Sequence, residues 1–115
     1  MHEMGIASSI LDGVRAESER RNGVRVARVG VRVGELAAVD PDSLRFCFEV
    51  LVSGTPLDPL ALDLEVSPRR SRCTACGHVF AAADALAPCP ACGSATCAFA
   101  GGDELEFMFM EIEEP

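Results

Sequence analysis

The stretch C-T-A-C-G-H-V-F-A-A-A-D-A-L-A-P-C-P-A-C, residues 73–92, decides how the rest of the chain is read. It holds two Cys-x-x-Cys pairs, Cys73/Cys76 and Cys89/Cys92, twelve residues apart, and each pair is followed by a glycine, Gly77 or Gly93. Two cysteines at this spacing can turn both sulfurs toward one ion about 2.3 Å away, while the glycine lets the backbone bend tightly beneath them. Two such knuckles complete a tetrahedral thiolate site for zinc. With four sulfurs in place no position is left for water or substrate, so the expected metal is structural and not catalytic.

The competing readings are a pair of disulfides, four unrelated thiols, or a rubredoxin-like iron centre. Nothing in the chain marks an oxidising compartment, which weighs against disulfides. Cys89-Pro90-Ala91-Cys92-Gly93 would suit iron, but the short spacer and the absence of Trp and Tyr argue for zinc. The cysteine segment lies between two breaks, Ser67-Pro68 and Gly101-Gly102, and predicts a zinc-ribbon lobe over residues 68–100. A lobe of that size rarely folds on hydrophobic burial alone, which is why it would need its metal.

The whole chain is 115 residues long, 49% apolar, with a net charge of −8. That balance argues against a generic nucleic-acid or anionic-membrane binder, because phosphate binding relies on basic surface. All ten basic residues are arginine. No run of eighteen apolar residues and no basic-then-apolar leader is present, so the expectation is a cytoplasmic chain starting at Met1, without a membrane span or signal peptide.

Outside the cysteines, Met4, Ala7, Ile10, Leu11 and Val14 recur at helical spacing and predict an amphipathic helix from Met4 to Arg21, ended by the Asn22-Gly23 turn. V-R-V-A-R-V-G-V-R-V then predicts a strand over about Arg25–Val33, with Val29, Val31 and Val33 on one face. The phase slips near Ala27, which calls for a bulge or a late strand start. Asp40-Pro41 opens a second helix that runs to Val52 or Ser53. Its apolar face holds Leu44, Cys47, Phe48 and Leu51, widened by Phe46 and Val50, and Cys47 reads as a buried small hydrophobe. Leu62, Leu64 and Val66 alternate with Asp63 and Glu65 as a half-buried strand. E-L-E-F-M-F-M-E-I-E is apolar on both sides, with Leu105, Phe107 and Phe109 on one face and Met108, Met110 and Ile112 on the other. Such a strand is expected to be central or covered on both sides, and Met108 and Met110 are expected in the core. The predicted fold is α+β: two helices on a three-stranded sheet, formed by residues 1–67 and 101–115, with the four-cysteine lobe inserted before the last strand.

Two histidines remain. His78, just past the first knuckle, could be a loop residue, a hydrogen-bond donor to a thiolate, or an alternative ligand. Cys97, beyond the last knuckle, reads as a spare thiol or as lobe packing. With His2 second in the chain, the Met1 terminal amine, the backbone nitrogen of residue 2 and the imidazole can close fused chelate rings, and the Glu3 amide can add a fourth donor. Strong in-plane nitrogen donors favour square-planar Ni(II) or Cu(II). The plain alternative is a solvated chain end.

Met1-His2-Glu3-Met4, the stretch Val29-Gly30-Val31-Arg32-Val33-Gly34-Glu35-Leu36, and Cys73, Cys76, Cys89 and Cys92 occur here in one order. Together they resemble the HypA/HybF family of hydrogenase maturation proteins over essentially the whole chain. The resemblance implies a non-catalytic nickel metallochaperone, working with a partner GTPase to load nickel into the hydrogenase large subunit and in some bacteria into urease. It implies His2 as nickel ligand with Glu3 beside it, and zinc on the four cysteines. Gly5 departs from the family, where serine is common, and would loosen the helix start. Whether the chain is a monomer or a homodimer is left open. The alternative function is a zinc-ribbon module for nucleic acid or transcription proteins, using Arg69, Arg70 and Arg72.

Overall fold

The computed structural model describes residues 2–113. The chain runs α1 (Glu3–Arg20), β1 (Val26–Gly34), α2 (Pro41–Val52), β2 (Ala61–Ser67), β3 (Arg70–Cys73), β4 (Val79–Ala81), β5 (Cys97–Gly101) and β6 (Leu105–Ile112). These elements form two sheets of three strands, ordered β2-β1-β6 and β4-β3-β5. The α+β class is as the sequence predicts.

Local chemistry sets the ends of the elements. Asn22 and Gly23 take φ of 62° and 76°, a left-handed turn that stops α1. Asp40 caps α2: its Oδ1 accepts from the N–H of Asp42 at 3.1 Å and of Ser43 at 3.4 Å, and Pro41 fills the first helical position.

The core of the first sheet is one cluster. Ala7, Ile10, Leu11 and Val14 of α1 meet Leu44, Phe48 and Val52 of α2 over Val26, Val29, Val31 and Val33 of β1, with Leu60 and Leu64 at the side. Full burial of a side chain such as Phe48 or Leu11 stabilises by about 1.5–3 kcal/mol. Cys47 is half-buried and packs against this cluster, as a small hydrophobe would. Phe46, Val50 and Met4 do not join it: all three are exposed.

β1 is the central strand. β2 runs parallel on one side and β6 antiparallel on the other. Near Ala27 the β1–β6 register shifts, so the break in the valine pattern is a bulge, and it puts Val26 into the core. A second shift occurs opposite Gly30 and Val31, which pair with Phe109 and Phe107 and leave Met108 unmatched. This bulge corrects the expected faces of β6. Leu105, Phe107 and Met110 lie opposite Val33, Val31 and Val29 on the helix side, while Phe109 faces the other way. β6 is also an edge strand, neither central nor doubly covered, and Leu105, Phe107, Met108 and Phe109 are exposed. Met110 packs against the core; Met108 does not.

The reason is visible in β1. Gly30 presents no side chain on the second face, so the Phe109 ring lies directly over its backbone, where any Cβ would collide with it. That face is otherwise polar: Arg28 pairs with Glu111 at 2.7 Å and Asp63 at 3.9 Å, and Arg32 with Glu65 at 3.4 Å. No second layer is needed above it.

The two sheets meet through a tight junction. Leu36 N–H donates to the Gly102 carbonyl at 2.7 Å and Gly34 N–H to the Glu104 carbonyl at 2.7 Å. A side chain at Gly34 would strike the Gly102 backbone, and Gly102 itself takes φ of 112° against Arg69. Arg70 closes the junction with an ion pair to Glu104 at 3.1 Å and a hydrogen bond to Ser67 Oγ.

Candidate metal centre

The second sheet holds Cys73 at the end of β3, the first knuckle between β3 and β4, and the second knuckle between β4 and β5. Each knuckle turns as its sequence requires. Gly77 and Gly93 take φ of 80° and 77°, and their N–H groups return to the Cys73 and Cys89 carbonyls at 2.9 and 2.8 Å. Gly is the residue that adopts this conformation without steric cost.

The four thiols converge as expected from their spacing. All four Sγ atoms lie within 4.8 Å of one another, with Cys73 3.5 Å from Cys92 and Cys76 3.7 Å from Cys89. A tetrahedron with zinc–sulfur bonds of about 2.3 Å has edges of about 3.8 Å, so the donor set fits zinc in size and in chemistry. Cys73 and Cys89 are buried and Cys76 and Cys92 exposed, which leaves the cluster at the surface on one side.

Backbone N–H groups support the thiolates. The Cys76 N–H points at Cys73 Sγ at 3.4 Å and holds that thiol down at about 6. The Ser94 N–H favours the Cys92 thiolate, yet the adjoining Cys73 and burial push Cys92 up to about 12. Cys76 is also raised: the His78 N–H favours its thiolate, but burial and the Cys73 and Cys89 sulfurs outweigh it. Sulfurs this close cannot all ionise side by side without a cation among them, and a divalent ion removes the conflict.

His78 does not join the cluster of four. Its ring is exposed and stacks on Phe80 at 6.0 Å, while its carbonyl accepts from the Cys73 N–H at 2.9 Å. Its backbone serves the knuckle and its imidazole does not. Cys97 stands outside the group of four, as a spare thiol or packing residue would. It stands directly opposite Cys73 in the β3–β5 ladder, and its thiol is raised by burial and by the nearby Cys73 and Cys89. A strand at Cys97–Gly101 pairing back onto Cys73 would have revealed it, but C-A-F-A-G is too short for its pattern to fix a register.

Away from the cysteines, exposed His2 is the N-cap residue of α1 and makes no side-chain capping bond. The first helical bond runs from Ile6 N–H to the His2 carbonyl at 3.1 Å, so the amide nitrogens of His2 and Glu3 precede the helical ladder. Glu3 Oε2 accepts from the Asp40 N–H at 3.3 Å, tying the start of α1 to the start of α2. His2 borders an open groove of about 410 Å³ lined also by Gly5, Ile6, Val31, Leu105 and Phe107. Gly5 sits against this residue, its Cβ direction pointing to His2 Cβ at 4.0 Å. Met1 lies outside the described residues.

Residues 1–112 match the family described as hydrogenase/urease nickel incorporation, metallochaperone, HypA. The chain belongs to the HypA family. The hydrogenase maturation factor HypA of Chlorobium limicola is 39% identical over 114 residues, covering 99% of this chain and 98% of its own. That of Chlorobium luteolum is 36% identical with 99% and 97% covered. The fold matches the solution structure of the Ni metallochaperone HypA from Helicobacter pylori with a TM-score of 0.65, at 24% identity and 97% coverage of each chain. HypA-family chains are non-catalytic nickel metallochaperones for hydrogenase maturation, and this one carries a four-cysteine, zinc-type site. Among the described residues no helix is long and apolar enough to cross a membrane.

Proposed function

We propose that this HypA-family chain carries Ni(II) at its N-terminus and passes it, with a partner GTPase, to the large subunit of a [NiFe]-hydrogenase in the cytoplasm. His2 supplies the imidazole and its own backbone nitrogen, the Met1 terminal amine closes the first chelate ring, and the Glu3 amide is the fourth donor. The observation that carries this reading is the place of His2: it is exposed, at the head of α1, with amides that no helical bond occupies. Deprotonating an amide for a metal costs a helix least where that N–H has no intrahelical acceptor. Zinc on Cys73, Cys76, Cys89 and Cys92 is the resident structural metal, in a lobe of residues 68–100 set into an α+β lobe of residues 1–67 and 101–115.

The contrast between the sites suits a carrier. Structural zinc sites are worth roughly 10–16 kcal/mol, and an ion held that firmly is not handed on. Against the zinc-ribbon reading toward nucleic acid, Arg70 is paired with Glu104 and the Arg69 Nε is buried, leaving Arg72 as the exposed member of the arginine trio.

Nickel titration of untagged protein, a one-residue N-terminal extension and His2→Ala tests the reading, with zinc counted in each. Both variants are expected to keep one zinc and lose most nickel affinity. Native-like nickel binding by the extended chain would remove the terminal amine from the site, and native-like binding by His2→Ala would remove the site altogether.

A further inference from the structure

The cysteine lobe contains five thiols, and four suffice for the metal. The fifth, Cys97, is the direct cross-strand partner of Cys73. The bond from Thr74 N–H to the Thr96 carbonyl, 3.0 Å, makes Cys73/Cys97 a non-hydrogen-bonded pair of the antiparallel ladder. In such pairs the Cα atoms stand about 4.5 Å apart with the side chains on the same face, and that separation lies inside the roughly 4.4–6.8 Å window of disulfides. Cys97 is half-buried, and its Sγ lies 3.8 Å from the carbonyl of Ser94 in the second knuckle, so the thiol is turned toward the cluster.

We propose that Cys97 is the resolving thiol of a redox-controlled metal site, forming a cross-strand disulfide with Cys73 when a hydroperoxide oxidises the cluster. The proposal rests on the zinc assignment made above. The Cys73 thiolate attacks the peroxide O–O bond, giving a sulfenic acid and, once the leaving oxygen takes a proton, one water. The Cys97 thiol then attacks that sulfur, the S–H and S–OH bonds break, and a second water leaves. In sum, one thiolate, one thiol, one hydrogen peroxide and one proton give one disulfide and two waters. The two sulfurs lose two electrons and the peroxide gains them.

A disulfide formed first between ligands reaches the same end. If Cys73 joins Cys92, whose sulfur is 3.5 Å away, Cys97 can attack the Cys73 sulfur and return Cys92 as a thiol. Register favours this outcome. While the sheet is folded, the paired backbones of β3 and β5 hold Cys97 opposite Cys73, and the bond between them then ties those two strands together as the zinc leaves. With Cys73 withdrawn, the site has three thiolates and releases its zinc. Reduction restores all four.

The test treats the zinc-loaded full chain with stoichiometric hydrogen peroxide. Zinc release is read with a chromophoric chelator, and disulfide links by non-reducing peptide mapping after alkylation. The expected result is a dominant Cys73–Cys97 link, a released fraction that tracks it, and recovery of zinc binding after a thiol reductant. Cys97→Ser should hold one zinc before oxidation, then accumulate sulfinic acid on the ligands and recover severalfold less zinc. Links confined to the four knuckle cysteines, or equal recovery by the variant, overturn the proposal. So does a Cys97→Ser chain that carries no zinc at the outset, since Cys97 would then be a ligand. A wild-type chain isolated without zinc refutes the zinc assignment separately, and the map of its links still decides the role of Cys97.

Discussion

The helix-covered sheet and the cysteine sheet stabilise themselves by different means. Around the first, thirteen residues from both helices, β1, β2 and the position just before β2 form one buried apolar cluster. Between residues 68 and 100 the buried side chains are Ser71, Cys73, Ala82 and Cys89 alone. Two of those are small and the other two carry metal-binding sulfur, so there is no apolar interior to drive folding. Burial supports one region and coordination the other. The lesson is that damage should stay local: an insult to the metal should spare the helices, and an insult to the core should spare the metal.

The sharpest break is expected at the cysteines. Cys73→Ser and Cys89→Ser should lose the bound zinc and melt β3–β5, while α1 and α2 persist, read by metal counting with circular dichroism. Helical signal lost in step with zinc would contradict the division. Next in size, Phe48→Ala removes a ring that is 1% exposed and should cost about 3–5 kcal/mol in denaturant unfolding, with zinc retained in the folded chain. The junction comes third. Gly34→Ala forces a Cβ against the Gly102 backbone and should cost about 1–3 kcal/mol, shifting amide resonances in both sheets, since this contact couples them.

The smallest effect is a pH dependence. The Ser67 hydroxyl, the Gly102 N–H and Arg70 hold Glu104 down at about 2, against an ordinary value near 4.5. Its folded value is lowered, so its contribution is fully present above about pH 4.5 and is lost as pH falls toward 2. Amide exchange at Gly102 and Leu36 should accelerate over that window before the core unfolds. Glu104→Gln should flatten the dependence.

How much of this was legible varies with the range over which each signal acts. The knuckles, the Asp40 cap and the Asn22-Gly23 stop are local devices, decided by a few neighbouring residues, and they appear where the sequence puts them. The bulge at Ala27 was visible because valines on a fixed period make a slipped phase plain. The bulge at Met108 was hidden, since Phe107, Met108, Phe109 and Met110 are all apolar and a slip among them leaves no trace. That β6 is an edge was hidden for a related reason: apolarity on both faces says nothing about which neighbour is missing. Glu104 and Arg70 are 34 positions apart, and no pattern links them. For the candidate sites, the cysteines declared themselves by spacing, but the pairing of Cys97 with Cys73 depends on a register that only the folded sheet supplies.

The uncovered edge of β6 has a consequence for handling the protein. Its outer rim of unpaired peptide groups, flanked by exposed Phe107, Met108 and Phe109, is a template onto which another copy's strand could add. The chain carries a net charge of −8, so in neutral, dilute buffer two copies repel before such edges meet. Concentrated salt screens that repulsion and acid removes it. Colloidal stability should therefore fail first in acidic or high-salt stocks, as strand-rich aggregates seeded from this edge, while the fold itself is still intact.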